Sequence, residues 1–457
     1  MSQQVREENK MGTMPVGRLL VTMSVPMMLS MLVQALYNIV DSIFVAMLSE
    51  EALTAVSLAF PIQNLMMSFG IGTGVAVNAL VSRHLGEKDP KRANEVAMHG
   101  IILNVLTYIF FAVGIVMISR PFFASQTDNV QIIEYGNTYL SLIGIMGIGM
   151  FCQVMFEKLL QATGKTFFSM TTQMAGAVTN IIMDPCLIFG LGPFPKMGVA
   201  GAAVATIFGQ CLGTALAVFF NLRYNRELTL SFKGFKMRPA TVRSIYAVGI
   251  PSIFMPAIGS IMTFGLNKIL ASFSTTAVAV FGVYFKLQSF AFMPIFGLNS
   301  GSLPIISYNY GAAKPERIMQ AIRYATMGAM TLMWTALAIF QIFPDKLLML
   351  FSASDHMLEI GIPALRIISV HFLIAGMSVI CISICQAMRH PNLGLIVSIS
   401  RQLVVLLPAA FVLSRFGNLN YVWWAFPIAE TVSVIMCICF ARYVINTEVK
   451  PLYGMSK

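Results

Sequence analysis

A chain of 457 residues that is 57% hydrophobic and only 11% charged, with a mean hydropathy of +0.76, lies outside the composition of soluble globular proteins. That leaves a polytopic membrane protein, whose spans are helices or a closed barrel because lipid offers the backbone no hydrogen-bond partner. The formal net charge of +11 does not mark a nucleic-acid binder, because the Lys and Arg residues gather in the connections on one side of the membrane.

Runs of about 20 apolar residues without period-2 alternation select helices. Twelve are predicted, at 17–47, 53–82, 96–118, 136–158, 167–190, 198–221, 244–272, 277–306, 320–342, 361–387, 393–414 and 420–445. The opening stretch MSQQVREENKMGTMPVGR has no short apolar core before a small-residue cleavage site, so no removable signal is predicted. Of the 30 Lys and Arg, only Arg120, Lys196, Lys346 and Arg415 fall opposite the N-terminal side, and Lys268, Lys286, Arg366 and Arg401 fall inside spans. This asymmetry predicts that both termini are cytoplasmic; the membrane expected is a bacterial-type cell membrane. The seven cysteines sit in or beside apolar spans and read as small buried hydrophobes.

The halves repeat at a spacing of 225 residues, pairing Pro26 with Pro251, Ser49 with Ser274, Gly72 with Gly297, Ser82 with Ser307, Gly86 with Gly311, Pro90 with Pro315 and Arg92 with Arg317. Six spans per half make the repeats parallel. The predicted fold is therefore an all-α membrane protein of two pseudo-symmetric six-helix lobes. Residues 1–16 form a cytoplasmic segment, 17–221 the N-lobe, 222–243 a cytoplasmic linker, 244–445 the C-lobe and 446–457 a cytoplasmic tail. Pro26 and Pro251 each remove a backbone donor from a long span and read either as tolerated prolines or as hinges.

The stretch QALYNIVDSIFVAM places Asp41 inside span 1, about 9 Å from its outer end at helical rise. An ionisable group at that depth is costly and marks a cavity or a partner. Asp184 lies at matching depth in span 5, with Asn180 one turn below on the same face, and span 6 returns Thr206 to a similar level. Gln34, Tyr37 and Asn38 precede Asp41 as candidate cavity residues. Two carboxylates, an amide and a hydroxyl form an all-oxygen set suited to a hard cation, and burial beside a like charge also favours proton uptake. The structural alternative is that Asp184, before Pro185, shapes a local turn or pairs with a lysine.

In the C-half, Leu266 and Ala409 replace the two acids. Lys286 is the deepest cation there, either a structural partner of an acid or a gate, and Glu430 in span 12 is placed to join it. Glu157 and Lys158, at the inner end of span 4, read as interfacial. Gly164, Lys165 and Thr166 end like a phosphate-binding loop, but no strand precedes them and the first glycine of the motif would fall at Leu159. Scattered histidines and the lack of a paired catalytic motif argue against a membrane-embedded enzyme. His371 in span 10 reads as a satisfied bundle residue.

PMMLSMLVQALYNIVDSIFVAMLSEEALTAVSLAFPI, the loop SRHLGEKDPKRANE with its partner SYNYGAAKPERI, LQATGKT, and TNIIMDPCLIFG followed by GVAGAAVAT together resemble the multidrug and toxic-compound extrusion (MATE) transporters. The chain is most similar to the DinF and MepA-like branch. The resemblance implies export of cationic or amphiphilic compounds in antiport with H+ or Na+, with Asp41, Asn180, Asp184 and Thr206 as the coupling set and Gln34 beside it. Spans 7 and 10 lack the central acids of the NorM branch. The expected partners are small organic substrates and the lipid bilayer, with no cofactor, no nucleic acid and a monomeric state. A lipid-linked oligosaccharide flippase of similar architecture is the alternative, suggested by the basic residues in the C-half spans.

Overall fold

A computed structural model of the chain describes residues 9–231, 233, 235–351 and 353–455. The outermost residues of the two expected terminal segments lie outside that set. Helices account for every regular element among the described residues. Nine are long and apolar enough to cross a membrane, and two more crossings are helix pairs bent at a short break. The twelfth, Thr166–Phe189, is less apolar because it carries Gln173, Asn180 and Asp184. In chain order, spans 1 to 6 are Val16–Ala46, Glu50–Gly86, Pro90–Gln126, the pair Val130–Met146 and Ile148–Ala162, Thr166–Phe189, and Val199–Tyr224. Spans 7 to 12 are Pro239–Ala271, Thr275–Gly311, Pro315–Ile342, the pair Asp355–Ser369 and Phe372–Ala387, Pro391–Ser414, and Leu419–Gly454.

The repeat is written into the backbone as well as the sequence. Ser49 caps span 2 by accepting from Ala52 N at 3.1 Å, and Ser274 caps span 8 by accepting from Ala277 N at 3.0 Å. Pro90 and Pro315 open spans 3 and 9 at the first helical turn, where their missing N–H is no loss. The preceding turns hold Lys88 and Ala313 at φ 56° and 51°, and the turns after spans 4 and 10 hold Gly164 and Arg389 at φ 80° and 67°. Non-glycine residues seldom adopt that conformation, so its recurrence at the same register reflects one turn geometry used twice. Spans 4 and 10 also bend at matching places, by 47° near Gly147 and by 51° near Val370.

The chain packs as two compact units, one of residues up to Met28 together with those from Phe254 onward, the other Leu29–Ile253. Their boundaries fall inside spans 1 and 7, two residues beyond Pro26 and Pro251, rather than at the ends of the 222–243 linker. Glycines account for this. A Cβ on Gly297 would lie 2.5 Å from Met28 Cα and one on Gly301 2.8 Å from Ser24 Cα, so the first part of span 1 lies directly against span 8. In the other unit a Cβ on Gly72 would lie 2.8 Å from Ile253 N, so the first part of span 7 lies directly against span 2. The linker is fastened to the same unit. Glu95 accepts from Arg238 Nη1 at 3.0 Å and Thr241 Oγ1 at 2.5 Å, and buried His99 accepts from Arg238 N at 2.8 Å.

Candidate functional site

Within the Leu29–Ile253 unit, spans 5 and 6 meet through small residues. A Cβ on Gly209 would lie 2.5 Å from Gly176 O, and one on Gly201 2.5 Å from Leu187 O. This close approach sets Asn180 opposite Thr206. Span 5 stays helical through Pro185 and ends at Gly190, whose left-handed φ of 77° closes the cap. Asp184 therefore belongs to a continuous helix, not to a local turn.

Asp184 is fully buried and Asn180 nearly so. The amide orientation that satisfies both of Asn180's neighbours has its NH2 donating to Asp184 Oδ2 at 2.9 Å. Its oxygen then accepts from Thr206 Oγ1 at 3.3 Å and Thr206 N at 3.1 Å. The outer part of span 1 brings Asp41 to this group, with its carboxyl within hydrogen-bonding reach of that of Asp184. One turn below, the Tyr37 hydroxyl lies within reach of Thr206. Asp41 Oδ1 and Asp184 Oδ1 are buried with no hydrogen-bond partner, and neither acid has an ion-pair partner among the described residues.

Two carboxylates about 4 Å apart repel by about 4 kcal/mol at an effective dielectric near 20. A proton shared between them, or a monovalent cation held by their free oxygens with the Asn180 and Thr206 oxygens nearby, removes that repulsion and satisfies the orphaned acceptors. The described residues contain no cluster of three or more His, Cys, Asp or Glu able to hold a metal ion.

Of the other residues singled out in the sequence, Gln34 is half-buried, whereas Asn38 is exposed. Two groups were missed. Tyr139 of span 4 is buried within electrostatic reach of Asp41 and Asp184, and its hydroxyl accepts from Gln63 Nε2 of span 2 at 3.4 Å. Gln63 was visible only as a polar residue recurring in the repeat, as Gln288. Nothing in the sequence marks Tyr139, which lies in the first helix of span 4.

Several expectations change. Lys286 is exposed and lies over the Phe351 ring at 5.8 Å, away from any acid it was expected to pair with. Glu430, nearly fully buried, pairs instead with Arg401 Nη1 at 3.3 Å and accepts from Ser378 Oγ at 2.5 Å. Arg401 sits in a π-helical stretch, Ser400–Leu406, which turns it to that partner. Glu157 and Lys158 are buried rather than interfacial. Glu157 accepts from Gln153, Thr172 and Gln173 at 2.9, 2.9 and 2.7 Å, and Lys158 donates to Gln161 at 2.9 Å. The bend in span 4 carries both inside the bundle against span 5. His371 is satisfied, with Nδ1 2.6 Å from Ile368 O.

A family model described as MatE matches residues 26–186 and again 251–412, two segments that begin at the repeat-related prolines and together cover well over half of the chain. The chain belongs to the MatE family. It is a multi-pass membrane transporter and not an enzyme. This MatE protein is 27% identical over 424 residues to the multidrug export protein MepA of Staphylococcus haemolyticus, 91% of each chain. It is 26% identical over 446 residues to an FAD transporter of Shewanella oneidensis, covering 96% of this chain and 97% of that one. The solved structure of a MOP superfamily transporter from Pyrococcus furiosus, 24% identical, shares its fold with a TM-score of 0.91 over 97% of this chain and 99% of that chain.

Proposed function

We propose that this MatE transporter exports cationic or amphiphilic organic molecules in exchange for H+ or Na+, with Asp41 and Asp184 as the coupling pair, Asn180 and Thr206 supporting them, and both termini cytoplasmic. The observation that carries this reading is the meeting of two carboxyl groups, each with a buried unpartnered oxygen and no basic partner. Such a pair takes up one positive charge at a time. A cationic substrate and the coupling ion therefore compete for one negative field, which is the requirement for exchange. An ion moves the transport equilibrium only by binding one state more tightly than the other. Asp41 and Asp184 come from different spans, so their separation, and with it their cation affinity, changes when span 1 bends. Pro26 and Pro251, each two residues before a boundary between compact units, are the hinges of that bending.

The relatives named above handle different cargo, drugs in one and FAD in the other. FAD is anionic, and an uncompensated acid pair repels it, so the cation reading is preferred. No observation favours a lipid-linked oligosaccharide: of the basic residues in the C-half spans that suggested one, Arg401 pairs with Glu430 and Lys286 lies over Phe351.

Purified protein in liposomes, given a cationic dye and then an imposed pH or Na+ gradient, tests the reading. Gradient-driven dye movement is expected in the wild type, with loss of at least about 100-fold in Asp41→Asn and in Asp184→Asn while the amount of folded protein is unchanged. Full transport by either variant, or gradient-driven FAD movement in place of dye movement, would defeat it.

A further inference from the structure

We infer that an apolar groove on the first half of span 1 holds an acyl chain of an anionic phospholipid, whose headgroup is bound by Arg18 and Arg323. The groove, with a volume of about 410 Å³, runs from Gly17 through Val21 and Val25 to Met28 on span 1 and is closed by Leu298 of span 8 and Tyr324 of span 9. All of these belong to one compact unit. Two of its lining residues carry hydroxyls, Ser24 and Tyr324; Ser24 Oγ donates to Leu298 O at 3.4 Å, and the rest of the lining is hydrocarbon.

Length and charge identify the occupant. From Gly17 to Met28 the helix rises about 16 Å, half of a hydrocarbon core of roughly 30 Å. The groove is thus as long as one leaflet is deep. Spans 1 and 9 are both long and apolar enough to cross a membrane, and Val21 and Val25 are 60% and 44% exposed, so the groove is open along this face. At the Gly17 end the chemistry changes. Arg18 follows Gly17 and Arg323 precedes Tyr324; both are exposed and neither has an ion pair among the described residues. Their chain neighbours Gly17 and Tyr324 adjoin at this end of the groove, and two guanidinium groups there would suit a phosphodiester carrying net negative charge, because the planar fork binds phosphate oxygens in pairs. A zwitterionic headgroup would place its own cation beside them.

The site has a mechanical consequence. Its wall is the part of span 1 before Met28, which Gly297 and Gly301 admit against span 8. A bound chain braces that half-helix on the side that span 8 leaves open. The proposed orientation of the termini decides only which leaflet supplies the lipid, so the experiment below is independent of it and of the coupling reading.

Native mass spectrometry of the purified full-length protein, equilibrated with equal amounts of phosphatidylglycerol and phosphatidylcholine of identical chains, tests the site. One retained phosphatidylglycerol is expected, preferred about tenfold. The double variant Arg18→Gln, Arg323→Gln should reduce that preference to about one. Gly17→Leu, whose Cβ would already lie 3.7 Å from the Tyr324 ring, should lower retention of both lipids by filling the groove. The arginine variants alter only exposed side chains, so they remain decisive if Gly17→Leu fails to fold. Equal retention of the two lipids by the wild type, or an undiminished preference in the double arginine variant, would overturn the proposal.

Discussion

The two halves share a backbone plan and differ in how they treat buried charge. In the Leu29–Ile253 unit, Asp41 and Asp184 meet without a cation and leave one oxygen each unpartnered. In the other unit, Leu266 and Ala409 occupy the equivalent positions, and the buried acid is Glu430, neutralised by Arg401 and held by Ser378. A membrane protein tolerates an ionised group chiefly where it is paired or faces a cavity. One half therefore carries a closed, structural charge pair and the other an open one.

Substitutions that break this contrast rank by expected effect. Arg401→Leu alone leaves Glu430 buried without its cation and should destabilise the protein by about 3–5 kcal/mol. The double variant Arg401→Leu, Glu430→Leu should recover most of that loss in thermal unfolding monitored by circular dichroism. A double variant as unstable as the single one would show that the pair contributes more than mutual neutralisation.

Asp184→Asn should behave in the opposite way, abolishing gradient-driven transport while leaving unfolding unchanged or raising its midpoint, since a like-charge repulsion disappears. A loss of stability matching that of Arg401→Leu would erase the distinction between the halves.

Gly209→Leu sharpens the comparison at the level of packing. Its Cβ would lie 2.5 Å from Gly176 O, so spans 5 and 6 must separate, at a cost of about 1–3 kcal/mol, and Thr206 must move from Asn180. Cation affinity measured by calorimetry should fall together with stability. Tyr139→Phe, which removes one hydroxyl accepting a 3.4 Å bond from Gln63, should have the smallest effect, a change in cation affinity of a fewfold with unfolding unaltered.

The spans and the repeat were legible because they rest on local properties, namely apolar run length, the Ser caps before spans 2 and 8, and the prolines that open spans 3 and 9. Asp41 and Asp184 stood out because a charge at membrane depth is costly wherever it sits. The remainder depended on helices meeting. The partner of Glu430 was set by a π-helical turn around Arg401, which apolar periodicity does not encode. Glu157 and Lys158 looked interfacial from their distance along the chain and are buried because span 4 bends by 47°. The unit boundaries beyond Pro26 and Pro251 follow from the close approaches at Gly297 and Gly72, which one sequence position cannot reveal by itself.

The most direct measurement counts cations released when substrate binds. Purified protein in weakly buffered detergent solution, titrated with a cationic dye while H+ and Na+ are followed by electrode, should release close to one cation per dye bound. Asp41→Asn and Asp184→Asn should each release none. Undiminished release from both variants would contradict the acid pair as the place where substrate and ion exchange.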